Sequence, residues 1–390
     1  MDASKKQREP VAFKSLAELK RFIRPGVEFK TVSHANHADM VGLTRVVTTV
    51  QTVGFYSTIK DQPEHPFSTC NHGKGFYTDF GKASNSSTEV LRRIEKITEK
   101  SIITYHVDIQ NPADLEHIFK QHEINAVMHF AGYKAVEESV QQPLKYYRGN
   151  LDSTLTLLET MHKYQVKNLV FSSSATVYGN PSTLPITEAC PIGNIVSPYG
   201  WTKYMIERII TDYAEATADF SAVIFRYFNP VGAHPSGLIG EAPNGTPNNL
   251  MPYITQVAMG RRTRLSIFGA DYDTPDGTCI RDYIHIMDIA AGHIAALPFC
   301  TSHKGVEVIN LGTGVGHSVL ELVSAFESAT GIHIPFQIVD RRVGDIPVCF
   351  ASAAKAKALL GWQATRSLRD MCHDAWNWQL KNPNGFTTVE

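Results

Sequence analysis

The sequence has no CxxC pair, and its six cysteines (Cys70, Cys190, Cys279, Cys300, Cys349, Cys372) are widely scattered. That fits a reducing compartment better than a disulfide framework. It has no excess of charge of either sign, with 37 basic against 38 acidic residues. This removes the broad electrostatic case for nucleic acid or an anionic membrane and leaves room only for a local basic pocket around a phosphorylated ligand. No apolar run reaches membrane-spanning length. The opening residues, MDASKKQREP, are polar and no apolar stretch follows them, so no secretory signal is expected. Internal repeats and low-complexity stretches are also missing. The composition left by these exclusions is that of a cytoplasmic globular protein, 43% apolar and 19% charged, and 390 residues suffice for a large core and two lobes.

From about residue 88 helical periods alternate with short β-rich runs. EVLRRIEKITEK (89–100) reads as an amphipathic helix and SIITYHVDI (101–109) as a strand. Asn111 and Pro112 supply an N-cap and a first-turn proline for ADLEHIFKQH. NAVMHFAG (125–132) reads as a buried strand, DSTLTLLETMHKY (152–164) as a helix and NLVFSSS (168–174) as a strand. YGWTKYMIERIITDYAEA (199–216) reads as a helix with its apolar stripe at Met205, Ile206, Ile209, Ile210 and Tyr213, and SAVIFRYF (221–228) as a further strand. This alternation predicts an α/β fold: a doubly wound parallel sheet, Rossmann-like, with ligand sites at the carboxyl ends of its strands. After about 235 glycine, proline and loops increase, which predicts a smaller C-terminal substrate lobe over 236–390, with 281–300 returning to the first lobe. The first lobe then spans 43–235. Residues 1–42 read as a polar extension of low order. Within 43–87 only TRVVTTV (44–50) reads as a strand, and Asp61 to His72 reads as loop.

Tyr199 and Lys203 lie four residues apart, one turn on one helix face. A neighbouring ammonium stabilises a phenolate and is expected to lower the tyrosine pKa, making Tyr199 a general base toward a sugar hydroxyl and then a general acid. The spacing alone is weak, because Tyr56 and Lys60 share it. Its setting is stronger. Ser197-Pro198 places Tyr199 in the first turn of its helix, and the strand at 168–174 ends in Ser172, Ser173 and Ser174, followed by Ala175 and Thr176.

With these residues the chain resembles the UDP-glucose (UDP-galactose) 4-epimerases of the extended short-chain dehydrogenase/reductase family. The resemblance is carried by HFAGYKAVEESV (129–140), YYRGNL (146–151), FSSSATVYGNP (171–181), SPYGWTK (197–203), RYFNPVGAHPSG (226–237) and NNLMPYITQVA (248–258). It continues through IFGADYDTPDGTCIRDYIHIMDIAAGHIAAL (267–297), NLGTG (310–314) and RRVGDIP (341–347), and covers about three quarters of the chain.

The resemblance implies NAD as cofactor, a UDP-sugar as substrate, a homodimer and a place in galactose metabolism. It implies Tyr199 as catalytic base, Lys203 as the lysine that binds nicotinamide ribose and tunes the base, and Ser174 as the serine on the sugar's 4-hydroxyl. Asp108 and Ile109 match adenine contacts, and Phe130, Lys134, Asn150 and Tyr227 further NAD contacts, with Lys134 also near the diphosphate. The substrate site is implied at Ser174, Ala175, Thr176, Tyr227, Phe228, Asn229, Asn248, Asn249, Leu250, Ser266, Ile267, Phe268, Arg281, Arg342 and Asp345. Arginines suit diphosphate oxygens, and Phe268 suits stacking on uracil. Cys349 stands where a small residue leaves room for an N-acetyl group, so acceptance of UDP-N-acetylglucosamine and UDP-N-acetylgalactosamine is expected as well.

One part of the family pattern is missing. The family opens with a strand and a GxxGxxG turn cradling the NAD pyrophosphate, where glycines allow close backbone approach at a helix N-terminus. No such motif occurs in residues 1–87. Counting back places the turn near QTVGFYS (51–57), where only Gly54 survives. Asp79 is the candidate for the acidic residue on the adenosine ribose. A second reading follows: an epimerase-like UDP-sugar-binding protein with a damaged NAD site, or a reading-frame or splice error over about 43–78. The cluster His34, His37 and Asp39 has no helical context or further ligand, and no metal is assigned.

Overall fold

The computed structural model describes residues 88–386 except 106, 244–246, 248 and 343, together with the backbone of the two strands at 52–57 and 74–79. The extension at 1–42, the strand expected at 44–50, the loop at 61–72, Lys60, the His34–His37–Asp39 cluster and Asn248 lie outside the described residues.

Six strands open the chain order: β1 (Thr52–Ser57), β2 (Lys74–Asp79), β3 (Ile103–Tyr105), β4 (Ala126–His129), β5 (Asn168–Ser174) and β6 (Ser221–Tyr227). Three helices over the same stretch are α1 (Thr88–Thr98), α2 (Pro112–Gln121) and α3 (Val136–Gln141). They are followed by α4 (Pro143–Tyr147), a π-helical turn at Arg148–Asp152, α5 (Ser153–Lys163) and α6 (Pro198–Ala216). Asn111 caps α2 by accepting from the Ala113 N–H at 3.1 Å, with Pro112 in its first turn, as the sequence predicts.

The second half supplies β7 (Asn229–Val231), α7 (Leu250–Ala258), β8 (Leu265–Phe268), β9 (Ile280–Arg281), β10 (Tyr283–His285) and α8 (Ile286–Ser302). The last strand of the main sheet is β11 (Gly305–Leu311). After it come β12 (His317–Ser318), α9 (Val319–Thr330), β13 (Phe336–Val339), β14 (Val348–Cys349), α10 (Ala354–Leu360) and α11 (Leu368–Lys381).

The main sheet has seven strands in the order β11-β6-β5-β4-β1-β2-β3. Two cores cover its faces. On one, Leu115, Leu157, Ile206 and Ile210 of α2, α5 and α6 pack against Val127, Leu169, Phe171 and Ile224. On the other, Ile289, Ala296 and Cys300 of α8 pack against Met128, Val170, Val223 and Ile309. Burial from both sides is why the central strands read as continuous apolar runs instead of alternating ones. The doubly wound α/β architecture is therefore present, with α8 returning from the second half of the chain to close one face.

Three expectations require correction. The sheet is not wholly parallel: β1 runs antiparallel to both β4 and β2, while β2–β3, β4–β5, β5–β6 and β6–β11 pair in parallel. A parallel β1–β2 pair needs a crossover, usually helical. The intervening sequence carries Pro63 and Pro66 and no helical period, whereas an antiparallel return needs no helix. The segment expected as a turn, 51–57, is instead largely strand, with Gly54 mid-strand opposite Tyr77 and Met128. Its residues Thr52, Val53, Phe55 and Tyr56 are β-formers, and a single glycine does not suffice to break them. Along α6, Met205 is exposed and does not join the apolar stripe; it lies one turn from Trp201, also exposed, on the helix's outer side.

Beyond the sheet, Val231, Met251, Ile254, Leu265, Leu322, Phe326 and Met371 form a separate core. A smaller cluster joins Val177, Tyr178, Phe228 and Cys349, with Ala175 and Ile346 packed against it. That cluster ties the end of β5 to β14.

Candidate active site

The carboxyl ends of β2, β3, β4, β5, β6 and β11 lie along one edge of the sheet, because these six strands share one direction. Open parallel sheets bind their ligands at such an edge. The N-terminus of α6 arrives there too. Ser197 accepts from the Gly200 N–H at 3.1 Å and Pro198 fills the first turn, so Tyr199 starts the helix beside the end of β5. Gly200 makes the approach possible: a Cβ there would stand 2.7 Å from Ile195 Cγ2.

Ser174 ends β5 and caps the 3-10 turn Ala175–Tyr178, accepting from the Thr176 N–H at 3.3 Å and the Thr176 hydroxyl at 3.0 Å. It also hydrogen-bonds Tyr199. Lys203, one turn further along α6, is 3% exposed. Its ammonium donates to the Ser172 carbonyl at 2.6 Å and lies 4.8 Å over the Phe171 ring. Ser174, Tyr199 and Lys203 are thus brought together, with the three serines of β5 as their floor.

The electrostatics differ from the sequence expectation. Burial pushes the Tyr199 phenol up, with the Ser174 hydrogen bond pulling the other way. Burial brings Lys203 down to about 7, against the opposing pull of the Glu207 carboxylate. Desolvation disfavours the charged form of both groups, and the ammonium is hydrogen-bonded to a backbone carbonyl. The Lys203 titration is therefore brought toward neutrality, and its support of a phenolate varies with pH across that range.

The other predicted residues divide into groups. Phe130 is buried after β4, its ring 4.8 Å from that of His293. Lys134 is exposed on the following loop. Asn150 is buried and fully engaged: its side chain donates to Thr202 Oγ1 at 2.9 Å and the Tyr133 carbonyl at 3.1 Å, and accepts from the Tyr133 N–H at 2.7 Å. That pins the loop after β4 to α6. Tyr227 ends β6, and its hydroxyl is 2.6 Å from His293 Nε2. His293 Nδ1 faces the Ile289 carbonyl at 2.9 Å, which can only accept, so Nδ1 carries the proton and Tyr227 donates to Nε2. Asp108 and the buried Ile109 follow β3, and β2 ends at Asp79, on the same edge.

The candidate substrate residues fall into separate contact groups. Cys349 of β14 pairs in register with Arg281 of β9, and Cys349 shares its cluster with Phe228 and Ala175. Arg342 forms a double hydrogen bond with Asp345 at 3.0 and 3.1 Å, and its guanidinium stands 4.9 Å over the Phe268 ring. Arg281 lies 3.8 Å from the same Asp345. Ser266 and Ile267 precede Phe268 on β8, with Ile267 buried. Asn229 begins β7, donating its N–H to the Asp282 carbonyl at 2.9 Å. Asn249 precedes Leu250 at the start of α7 and donates to Glu241 at 2.6 Å. Among the described residues no cluster of metal-ligating side chains is found.

Three residues at this edge had not been singled out from sequence: Glu207, Arg226 and His293. Arg226 did leave a signal, as a lone charge inside the apolar run SAVIFRYF. A charge on a doubly buried strand requires a buried partner.

The edge offers two groups of residues that could hold a dinucleotide, separated by β1. One end has Lys203, Tyr199, Tyr227 and the buried Phe130 and His293; the other has Asp108, Ile109 and the end of β2. Between them lies β1, reversed, with its one glycine inside the strand.

The sequence matches the model of the NAD dependent epimerase/dehydratase family over residues 75–312. It is 54% identical over 307 residues to the UDP-glucose 4-epimerase of Bacillus subtilis, covering 79% of this chain and 90% of that one. To the UDP-glucose 4-epimerase of Homo sapiens it is 53% identical over 307 residues, covering 79% and 88%. The structure is similar to that of the Bifidobacterium longum UDP-glucose 4-epimerase in complex with NAD+ and UDP, with a TM-score of 0.76 and 50% identity over 79% of this chain and 92% of that one.

Proposed function

The chain belongs to the NAD dependent epimerase/dehydratase family, and we propose that it interconverts UDP-glucose and UDP-galactose by NAD-dependent epimerisation at C4. The observation that carries this reading is the meeting of Ser174, Tyr199 and Lys203 at the carboxyl edge of the sheet, in a chain 54% identical to a UDP-glucose 4-epimerase over 90% of its length. NAD+ held by Lys203, Tyr227 and Phe130 would supply the acceptor and donor of the C4 hydride. Tyr199 takes the 4-hydroxyl proton and later gives it back, and Ser174 holds that hydroxyl in line. Lys203 holds the nicotinamide ribose and, when protonated, stabilises the Tyr199 phenolate. Tyr227, fixed as a donor to His293, and Phe130 keep water from the hydride path.

Phe268 offers its face to uracil, and Arg281, Arg342 and Asp345 form the polar rim for ribose and diphosphate. Arg342 already covers Phe268, so the base enters by displacing or sandwiching that guanidinium. Residues 43–235 form the NAD lobe and 236–390 the sugar-nucleotide lobe, and the packing of α8 on the sheet supports the return of 281–300 to the former. The small thiol of Cys349 beside Phe228 and Ala175 supports acceptance of N-acetylhexosamines. Exposed Leu144, Leu155, Trp201 and Met205 on α4, α5 and α6 support a homodimer through these helices. No described helix is long and apolar enough to cross a membrane, which accords with a cytoplasmic location.

The alternative of a UDP-sugar-binding protein without catalysis is not favoured, given identity of this degree across 90% and 88% of the matched relatives. The test is direct. Purified protein should convert UDP-galactose to UDP-glucose in a coupled dehydrogenase assay and release NAD on denaturation. Protein that binds UDP but holds no NAD, even when NAD is added, and turns over neither sugar would overturn the proposal.

A further inference from the structure

Of the three serines that end β5, the reading above uses two. The Ser172 carbonyl accepts from Lys203, and Ser174 bonds Tyr199. The middle one, Ser173, is buried and donates its hydroxyl to Glu207 Oε1 at 2.5 Å. Glu207 lies on α6 one turn beyond Lys203 and is itself buried. It accepts two bonds from Arg226 of β6, Nε to Oε1 at 3.0 Å and Nη2 to Oε2 at 2.6 Å. The Arg226 guanidinium lies 4.7 Å over the Tyr178 ring, and the Tyr178 hydroxyl donates to Asn310 of β11 at 2.7 Å. One carboxylate therefore ties α6, β5, β6, the 3-10 turn and β11 together directly beneath the catalytic residues.

A buried ion pair gains little over apolar residues of the same volume, and its best-attested use is to fix one register among several. We infer that Glu207 is a positioning residue for the proposed epimerisation: clamped by Ser173 and Arg226, it sets the end of β5 against α6 so that Ser174, Tyr199 and Lys203 meet, and it holds a negative charge one turn from the Lys203 ammonium. The inference rests on the epimerase reading.

The charges around the pair leave Glu207 as the carboxylate acting on Lys203. Lys203 is faced by His129 of β4, kept neutral by burial, and by Tyr199 and Glu207 of its own helix. Tyr146 of α4 and Tyr227 of β6 stand near Tyr199, both phenols held up by burial. Further out, Glu138 of α3 pairs with Lys145 of α4 at 2.7 Å, Arg148 with Asp152 in the π-helical turn at 3.8 Å, and Glu307 of β11 with Lys355 at 2.7 Å. Burial draws Lys203 down, and Glu207 is the group that opposes it.

The test compares wild type, Glu207→Gln and the double variant Glu207→Met/Arg226→Met, which removes both charges of the pair. In Glu207→Gln, kcat should fall about tenfold or more while KM for UDP-galactose changes little, and the limb of the kcat profile that falls with rising pH should move about one unit toward acid. The double variant should recover thermal stability without recovering rate or limb. The titration of Lys203 in isotope-labelled protein, assigned by loss of its signal in Lys203→Met, should move to lower pH in both. A folded Glu207→Gln or double variant with the wild-type rate, limb and lysine titration would overturn the inference. Wild-type protein that fails to turn over UDP-galactose would instead overturn the epimerase reading, and the lysine titration separates the two failures.

Discussion

Lys203→Met should make the protein more stable near and below neutral pH while abolishing its chemistry. Burial brings the ammonium from 10.5 to about 7. At about 1.4 kcal/mol per pKa unit, keeping Lys203 charged costs the fold about 5 kcal/mol below neutrality. The unfolded chain keeps its proton up to 10.5, and the folded chain releases it near 7. Between these values the unfolded state binds more protons, so the wild-type stability contribution rises with pH across this window and is flat outside it. Methionine removes the buried charge but leaves the Ser172 carbonyl without its donor, a loss of about 1–2 kcal/mol. The net expectation is a gain of about 3–4 kcal/mol at pH 6, falling to about zero near pH 9 and becoming a small loss by about pH 10. Urea unfolding of both proteins at pH 6, 7.5 and 9 reads this difference, with equal m-values as the control. Epimerase turnover should fall by about 10²–10⁴. A variant less stable than wild type at pH 6, or a difference that does not change with pH, would refute the claim that Lys203 is held charged against burial.

Three further outcomes are expected. Phe268→Ala should raise KM for UDP-sugars and Kd for UDP about tenfold with kcat little changed, because the exposed ring under Arg342 contributes binding and not chemistry; calorimetry with UDP checks it. Asp282→Asn should destabilise the fold by about 3 kcal/mol in urea. Its buried carboxylate accepts from the Thr313 N–H and hydroxyl at 2.8 and 2.6 Å and from the N–H groups of Gly314 and Ala351 at 3.1 Å, and an amide turns half of that acceptor set into donors. Cys349→Tyr should remove turnover of UDP-N-acetylgalactosamine while leaving UDP-galactose turnover within about threefold; equal loss on both substrates would show that the position does not select.

Local patterns sufficed for most elements between 88 and 235, because caps such as Asn111-Pro112 and Ser197-Pro198 and the apolar runs of buried strands are properties of a few neighbouring residues. The Tyr199–Lys203 spacing and the serines of β5 likewise marked the site, although a decoy at Tyr56 and Lys60 shows how little the spacing carries without its strand.

What sequence alone determined about this protein was its ancestry, its strand–helix order and the identity of the reacting side chains. Tertiary structure decided what those side chains experience. Tyr199 and Lys203 share a helix face, yet the ammonium points to a backbone carbonyl and both pKa values move the wrong way for an activated phenol, since desolvation depends on everything packed around a group. The same holds for Glu207 and Arg226, nineteen residues apart in the chain and one carboxylate–guanidinium pair in the fold. The direction of β1 was also decided there, because strand pairing is a choice among partners distant in sequence, and β1 pairs antiparallel with both β2 and β4.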